Sequence, residues 1–170
     1  MNSLRNPVSD LRGSVLSCES AGDELRLLLS ANLAAIEDGR RCILKHFEPL
    51  ALGATAVNHF EVIFEELVAN SVRHGLAEKP AGLIYIVAQS GTGTIDLVIE
   101  DDGIAFNPLD TPEPSRFESL ETAKIGGLGI SLVRKLSASF QYMAPHAVSR
   151  AIGDRLFEPT NRVAFSVSTR

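Results

Sequence analysis

The chain has 170 residues, which suits one domain with one hydrophobic core and leaves no room for two full domains. Its formal net charge of −5 argues against binding of a nucleic-acid backbone as its main function. There is no apolar run of the ~18 residues that a membrane span needs, no secretory signal and no metal-binding cysteine spacing. We therefore expect a cytoplasmic protein with reduced thiols at Cys18 and Cys42 that contacts neither membrane nor nucleic acid directly.

The first half of the sequence predicts one strand and two helices after a polar N-terminal extension. Alternation predicts the strand, and apolar residues at three- and four-residue steps predict the helices, the second of which ends at Gly75 as its C-terminal cap. The predicted elements are an extension over 1–23 with a short strand at 14–18, a strand at 24–29, and helices at 34–50 and 55–74.

The second half predicts a hairpin, a long polar loop, a helix and two closing strands. These elements are strands at 83–88 and 95–100, the loop at 101–127, a helix at 129–138, and strands at 140–143 and 163–167. Since strands and helices do not alternate as βαβ units, a Rossmann-type fold is excluded. The order predicts one α+β domain over 24–170: a two-layer sandwich with helices on one face of a mixed, mostly antiparallel sheet.

The strongest helix carries the first polar cluster, in which Glu66, Asn70 and His74 share one stripe at the edge of the apolar face. An amide oxygen can ligate Mg²⁺, and a carboxylate one turn away can accept a proton from a bound hydroxyl. Arg73 lies close enough in angle to offer a cation to phosphate. Taken alone, the cluster also fits an ordinary solvated helix edge.

The second cluster is the segment 101–108, which directly follows an apolar strand. An aspartate at a strand end can accept a hydrogen bond from an exocyclic amine, and Gly103 would let a flat ring approach closely. A plain Asp-Gly turn remains the alternative interpretation.

The third cluster is the glycine-rich segment 126–129, which leads into a helix. Backbone N–H groups and the helix N-terminus favour an anion here, and Lys124 could add a positive charge. The segment is neither a dinucleotide-binding motif, which needs a preceding strand, nor a Walker loop, which needs Gly-Lys-Ser/Thr. A simple hinge before the helix would have the same composition.

In this order the three clusters resemble the N, G1 and G2 boxes of the histidine-kinase-like ATPase superfamily. The resemblance extends over about 24–170, and the Asn-x-x-x-His-Gly pattern at 70–75 is most similar to the stand-alone anti-sigma-factor serine/threonine kinases. It implies a Bergerat-type ATP-binding fold, with ATP and Mg²⁺ as cofactors.

The resemblance also implies a role for each cluster. Asn70 would ligate Mg²⁺, Glu66 would be the general base, and Asp101 would bind the adenine amine with Gly103 beneath the ring. The remaining implied nucleotide-binding positions are the backbone of Gly127, Leu128 and Gly129, the weaker phosphate candidates Arg73 and Lys124, and an ATP lid over 109–125. His74 is expected to pack at the helix end rather than to be phosphorylated.

Three departures from the family pattern bear on this assignment. Ala105 replaces the second glycine of the G1 box, Asn107 replaces the usual aspartate, and the segment 144–161 is longer than the usual hairpin. None of them removes an implied catalytic group, and the long segment is a candidate surface for a specific partner.

The implied function is an anti-sigma factor and serine/threonine-protein kinase that phosphorylates an anti-sigma-factor antagonist, in a partner-switching system with a sigma factor. The resemblance also implies that the chain works as a homodimer, as members of the family often do. Two alternatives stay open: a nucleotide-binding regulatory module without kinase activity, and a detached ATPase domain of a two-component histidine kinase. The second alternative is disfavoured, because the sequence shows no upstream helical pair that bears an acceptor histidine.

Overall fold

The structure is a computed structural model that describes residues 13–107, 128–143, 149–152 and 155–169. Its main sheet has six strands in the order β1-β2-β3-β4-β8-β5, and every pairing in it is antiparallel. The strands are β1 Val15–Ala21, β2 Glu24–Ser30, β3 Leu83–Ser90, β4 Thr94–Asp101, β5 Ser139–Tyr142 and β8 Asn161–Ser168. Strand β1 lies inside the segment expected to be an extension and is longer than the strand predicted there.

Three helices cover one face of this sheet: α1 Ala34–His46, α2 Ala54–Asn70 and α3 Leu128–Leu136. The order of elements and the single helical layer confirm the predicted α+β sandwich. Helix α1 ends four residues earlier than predicted, and a 3₁₀ turn over Glu48–Leu50 with Pro49 in its first turn follows. Proline cannot donate the backbone hydrogen bond that would continue the helix. Within the described residues, no helix is both long and apolar enough to cross a bilayer.

The core lies between the helices and the sheet. Odd-numbered residues of β2, β4 and β8 and even-numbered residues of β3 point into it, as the two-residue period of a strand requires. Helix α2 contributes Phe60 and Phe64, both buried, with ring centroids 5.4 Å apart. A side chain at Gly39 of α1 would press on the Phe64 ring, so this glycine permits the close packing of α1 on α2.

The opposite face of the sheet is partly covered by a hairpin, β6 Arg150–Ile152 and β7 Arg155–Phe157. Phe157 is buried against Tyr85, with ring centroids 5.9 Å apart. Arg150 lies 4.8 Å above the Tyr85 ring and pairs with the buried Glu100 at 2.8 Å. The long segment predicted between the last two strands therefore contributes to folding as well as to the surface.

Helix α2 does not run to His74 as predicted. It ends at Asn70 and continues as a π-helical turn over Ser71–Gly75, closed by a 2.8 Å hydrogen bond from the Leu76 N–H to the Ser71 carbonyl. Such turns widen the helix and are frequent at functional sites. Here the widened turn lies beside the end of β4.

Candidate functional site

The C-terminal half of α2 positions Glu66 and Asn70 one turn apart, as the helical period predicts. Both residues are half-buried. Within the described part of the chain, neither side chain forms a hydrogen bond or an ion pair. No described residue thus competes with a ligand for their polar atoms.

The first turn of α3 lies directly against Glu66. A Cβ atom added to Gly129 would collide with the Glu66 carboxylate, so this position has no room for a side chain while the carboxylate keeps its place. The helix N-terminus offers backbone N–H groups at the same point. Leu128 begins the helix, whereas Gly127, Lys124 and the predicted lid over 109–125 lie outside the described residues.

The two adjacent aspartates at the end of β4 differ in their contacts. Asp102 is engaged within the fold: its Oδ1 accepts a 2.7 Å hydrogen bond from the Leu83 N–H, and its Oδ2 pairs with Lys79 at 2.9 Å. In Asp101, Oδ1 accepts hydrogen bonds from the Gly103 N–H at 3.1 Å and from Asn161 at 2.7 Å, and neither bond uses Oδ2. This difference favours Asp101 over Asp102 as a ligand-binding carboxylate.

Asn161 is a site residue that the sequence interpretation missed. Its Nδ2 donates to Asp101 Oδ1 and to the Ile104 carbonyl at 2.8 Å, and its Oδ1 accepts from the Phe106 N–H at 2.7 Å. The buried side chain thus orients the aspartate and fixes the loop after it. The one available signal was an asparagine just before the alternating apolar residues of the last strand.

The π turn contacts this loop along its length. The Ile104 N–H donates a 2.7 Å hydrogen bond to the Gly75 carbonyl, and a Cβ on Gly103 would collide with that same carbonyl. The His74 ring, which is exposed, lies 5.8 Å from the Phe106 ring. A glycine at 103 is therefore required by the close approach of two backbone segments.

Burial dominates the electrostatics of Asp101. It raises the pKa of this carboxyl, while the hydrogen bonds from Asn161, Ser71 and Gly103 act in the opposite direction. A buried acceptor of this kind gains most from a ligand N–H donor that replaces its lost water.

The three polar clusters of the sequence meet at the end of α2. Ser71 and Gly75, which follow the helix, lie next to Asp101. Glu66, within the helix, lies next to Gly129 of α3. Arg73, also on the π turn, is exposed, as is Ala105 on the loop. The result is one site with a buried carboxylate on one side and a helix N-terminus on the other.

The donor set fits a magnesium ion that is carried by a phosphate ligand. The described residues contain no group of three or more His, Cys, Asp or Glu side chains able to hold a metal by themselves. Mg²⁺ commonly uses one or two protein oxygens together with substrate phosphates and water. The amide oxygen of Asn70 would supply such a ligand.

Comparison with known proteins adds a family match. The model of the histidine kinase-like ATPase domain matches residues 29–149, which include α2, the Asp101 loop and α3. The match therefore contains the described site apart from Asn161.

Among curated proteins, the chain is similar to several anti-sigma F factors. It is 21% identical to that of Shouchella clausii over 56% of this chain and 66% of that protein. It is 22% identical to the anti-sigma F factor of Halalkalibacterium halodurans over 45% of this chain and 53% of that protein. It is 23% identical to that of Heyndrickxia coagulans over 43% of this chain and 50% of that protein. The matches thus span between half and two thirds of the length of these relatives.

Proposed function

Because this chain belongs to the histidine kinase-like ATPase domain family, we propose that it binds ATP with Mg²⁺ and acts in the cytoplasm as an anti-sigma factor and serine/threonine-protein kinase. Its substrate would be an anti-sigma-factor antagonist. The observation that carries the proposal is the meeting of the three polar clusters at the end of α2, through Ser71 and Gly75 with Asp101 and through Glu66 with Gly129.

Asp101 would recognise the adenine ring. Asn161 and Gly103 both donate to Oδ1, so Oδ2, which neither of them uses, would be the oxygen that accepts a hydrogen bond from the exocyclic amine. Gly103 would lie beneath the ring, and its lack of a side chain lets the loop that carries Asp101 pack directly on the Gly75 carbonyl. The absence of water around a buried carboxylate would strengthen this hydrogen bond.

Asn70 and the first turn of α3 would hold the triphosphate end. Mg²⁺, when bound, neutralises phosphate charge, and the Asn70 amide oxygen would be its protein ligand. The backbone at Gly127, Leu128 and Gly129 would donate N–H groups to phosphate oxygens. Arg73, which is exposed on the π turn, and Lys124 would contribute positive charge towards the phosphates.

Glu66 would be the general base. A half-buried carboxylate without a partner in the described part of the chain can accept the proton of a serine or threonine hydroxyl as that oxygen attacks the γ-phosphate. Its place beside the N-terminus of α3 would hold the carboxylate near the phosphate end of the site.

The proposed partners of this chain are inferred from the similar curated proteins and not from the geometry of the site. The similar curated proteins are named anti-sigma F factors, so we extend to this chain the binding of a sigma factor, and we propose that it works as a homodimer. Binding of the sigma factor and of the antagonist would be mutually exclusive and biased by nucleotide and phosphorylation.

A nucleotide-sensing module without phosphoryl transfer is the second candidate, favoured by Ala105 in place of a glycine in the G1 box. One assay separates the two functions. The chain is incubated with γ-labelled ATP, Mg²⁺ and the antagonist encoded near its gene. Transfer of label to a serine or threonine of the antagonist supports the kinase, whereas nucleotide binding without transfer supports the module.

Glu66→Gln provides the decisive variant of this assay. We expect transfer to fall by about 10²–10⁴-fold with ATP binding retained, as for loss of a general base. Glu65→Gln, at the exposed neighbouring position, is the matched control and should phosphorylate at the wild-type rate. Equal rates in wild type and Glu66→Gln would remove Glu66 from the mechanism.

A further inference from the structure

Helix α1 and strand β1 bring the two cysteines of the chain together. Cys18 is buried in β1, and Cys42 is half-buried in α1. Cys18 belongs to the hydrophobic core cluster, Cys42 packs against that cluster, and each thiol is the largest influence on the pKa of the other. Two thiols that are 24 residues apart in sequence are therefore direct neighbours in the fold.

Contacts on both sides of the cysteines fix this arrangement. Towards one end, the Ser14 N–H donates a 2.8 Å hydrogen bond to Asp38; towards the other, Ser20 Oγ lies 3.2 Å from His46 Nδ1. Residues 38, 42 and 46 follow one another at four-residue steps, so they share one face of α1. The cysteine pair thus lies in the middle of the contact between α1 and β1, with a polar contact on each side of it.

The two sulfurs are chemically unequal. The hydrogen bond from Cys18, together with the charges of Arg41 and Lys45, lowers the pKa of Cys42 to about 7, against the opposing effects of burial and Asp38. The same hydrogen bond and burial raise the pKa of Cys18. Of the two thiols, Cys42 is therefore the one favoured as a thiolate and is the more exposed residue, while burial favours the protonated form of Cys18.

We propose that Cys18 and Cys42 form a redox-sensitive dithiol, which hydrogen peroxide converts into an intramolecular disulfide that joins α1 to β1. The Cys42 thiolate attacks one peroxide oxygen, the O–O bond breaks, and a sulfenic acid and hydroxide form. The Cys18 sulfur then attacks the Cys42 sulfur, and the S–O bond breaks with release of water. In total, two thiols and one peroxide give one disulfide and two waters, and a thiol reductant reverses the change.

The disulfide would act on the element that supports the site helix. Arg40 of α1 forms an ion pair with Glu61 of α2, about two and a half turns before Asn70. Joining α1 to the edge strand β1 would restrain this support. The same cross-link closes a loop in the unfolded chain, so we expect the oxidised protein to melt on the order of 5 °C or more above the reduced one.

The test is mass spectrometry of the full chain after treatment with a small excess of hydrogen peroxide. We expect a loss of about 2 Da, as for two thiols converted to a disulfide, a Cys18–Cys42 peptide in a non-reducing digest, and recovery of both thiols with dithiothreitol. Two free thiols after treatment, overoxidation of Cys42 without a cross-link, or disulfides only between two chains would each overturn the proposal.

Single variants test the order of the two steps. In Cys18→Ser the Cys42 sulfenic acid has no thiol to resolve it, so dimedone should trap it. In Cys42→Ser we expect Cys18 to react with peroxide at least tenfold more slowly, because it is protonated and buried. Equal reactivity of the two cysteines in folded variants, as judged by circular dichroism, would contradict the assigned roles. Whether the Cys18–Cys42 disulfide forms at all is determined by the non-reducing digest of the wild-type protein, which needs neither variant.

Discussion

Asn161 donates a 2.7 Å hydrogen bond to Asp101 across 60 residues of sequence, and the same side chain accepts one from the Phe106 N–H. It thereby connects the start of the last long strand to the loop after β4. The aspartate proposed to recognise adenine is thus held by a residue outside the motif that contains it, and the conformation of that motif depends on β8.

Asn161→Ala should weaken ATP binding by on the order of tenfold, because loss of the amide leaves Asp101 without its orienting donor and the Phe106 N–H without its acceptor. Titration calorimetry measures this effect. The exposed Asn58 of α2 provides the control, and Asn58→Ala should bind as wild type does. Unchanged affinity in a folded Asn161→Ala protein would mean that the loop holds its shape unaided.

Asp101→Asn should weaken ATP binding at least tenfold, since the loop donors would hold the amide oxygen on the Oδ1 side and turn an N–H₂ group, rather than an acceptor, towards the ligand amine. Calorimetric titration with ATP measures the change. Asp102→Asn serves as the neighbouring control: it disturbs the Lys79 ion pair and is expected to reduce stability more than affinity.

The same Asp101→Asn variant should be more stable than wild type at pH 7. Because burial raises the pKa of Asp101, the native state holds this proton more tightly than the unfolded chain does. The ionised carboxylate therefore lowers the stability of the native state above the raised pKa, and this effect disappears below the ordinary value of 3.8. Melting curves should show a higher Tm for the variant at pH 7 and a shrinking difference as the pH falls towards 4. An equal difference at both pH values would contradict the account.

Gly129→Ala should separate folding from catalysis. The added methyl group meets the mobile end of the Glu66 side chain, which can swing aside, and alanine favours a helix by about 1 kcal/mol over glycine. We expect an unchanged or higher Tm with phosphoryl transfer reduced at least tenfold, because the carboxylate is displaced. Wild-type transfer rates in this variant would show that the position of Glu66 is not critical.

Gly103→Ala should behave in the opposite way. Here the methyl group meets the Gly75 carbonyl, a backbone atom that cannot move aside, so we expect a loss of about 1–3 kcal/mol in the free energy of unfolding. Urea denaturation measures it. Ala105→Ser, at an exposed position of the same loop, is the matched control and should be as stable as wild type. Equal stabilities of the two variants would indicate that the loop can leave the π turn at little cost.

Local patterns predicted the helices and strands well where the pattern itself determines the structure. The apolar spacing of α2, and the two apolar runs of β3 and β4 on either side of a glycine-containing turn, were sufficient. The end of α2 was misjudged, because the helical pattern continues through Val72 and gives no sign that the Leu76 N–H bonds to Ser71. A π turn of this kind depends on its contacts with the loop at 103–106.

Polar contacts between residues far apart in the chain could not be predicted from the sequence. Nothing local relates Asn161 to Asp101, or Cys18 to Cys42, since each pair is formed by strand order and helix packing. The three polar clusters could be recognised one by one, but only the fold shows that they meet. The roles of all the site residues stay predictions, and for Lys124 and Gly127, which lie outside the described residues, so do their positions.

Titration of the full chain with ATP, with and without Mg²⁺, tests the central claim most directly. We expect one ATP bound per chain with Mg²⁺, and a large loss of this metal dependence in Asn70→Ala, which lacks the amide oxygen. A well-folded wild-type protein that gives no heat with ATP under either condition would contradict the claim that these clusters form a nucleotide site.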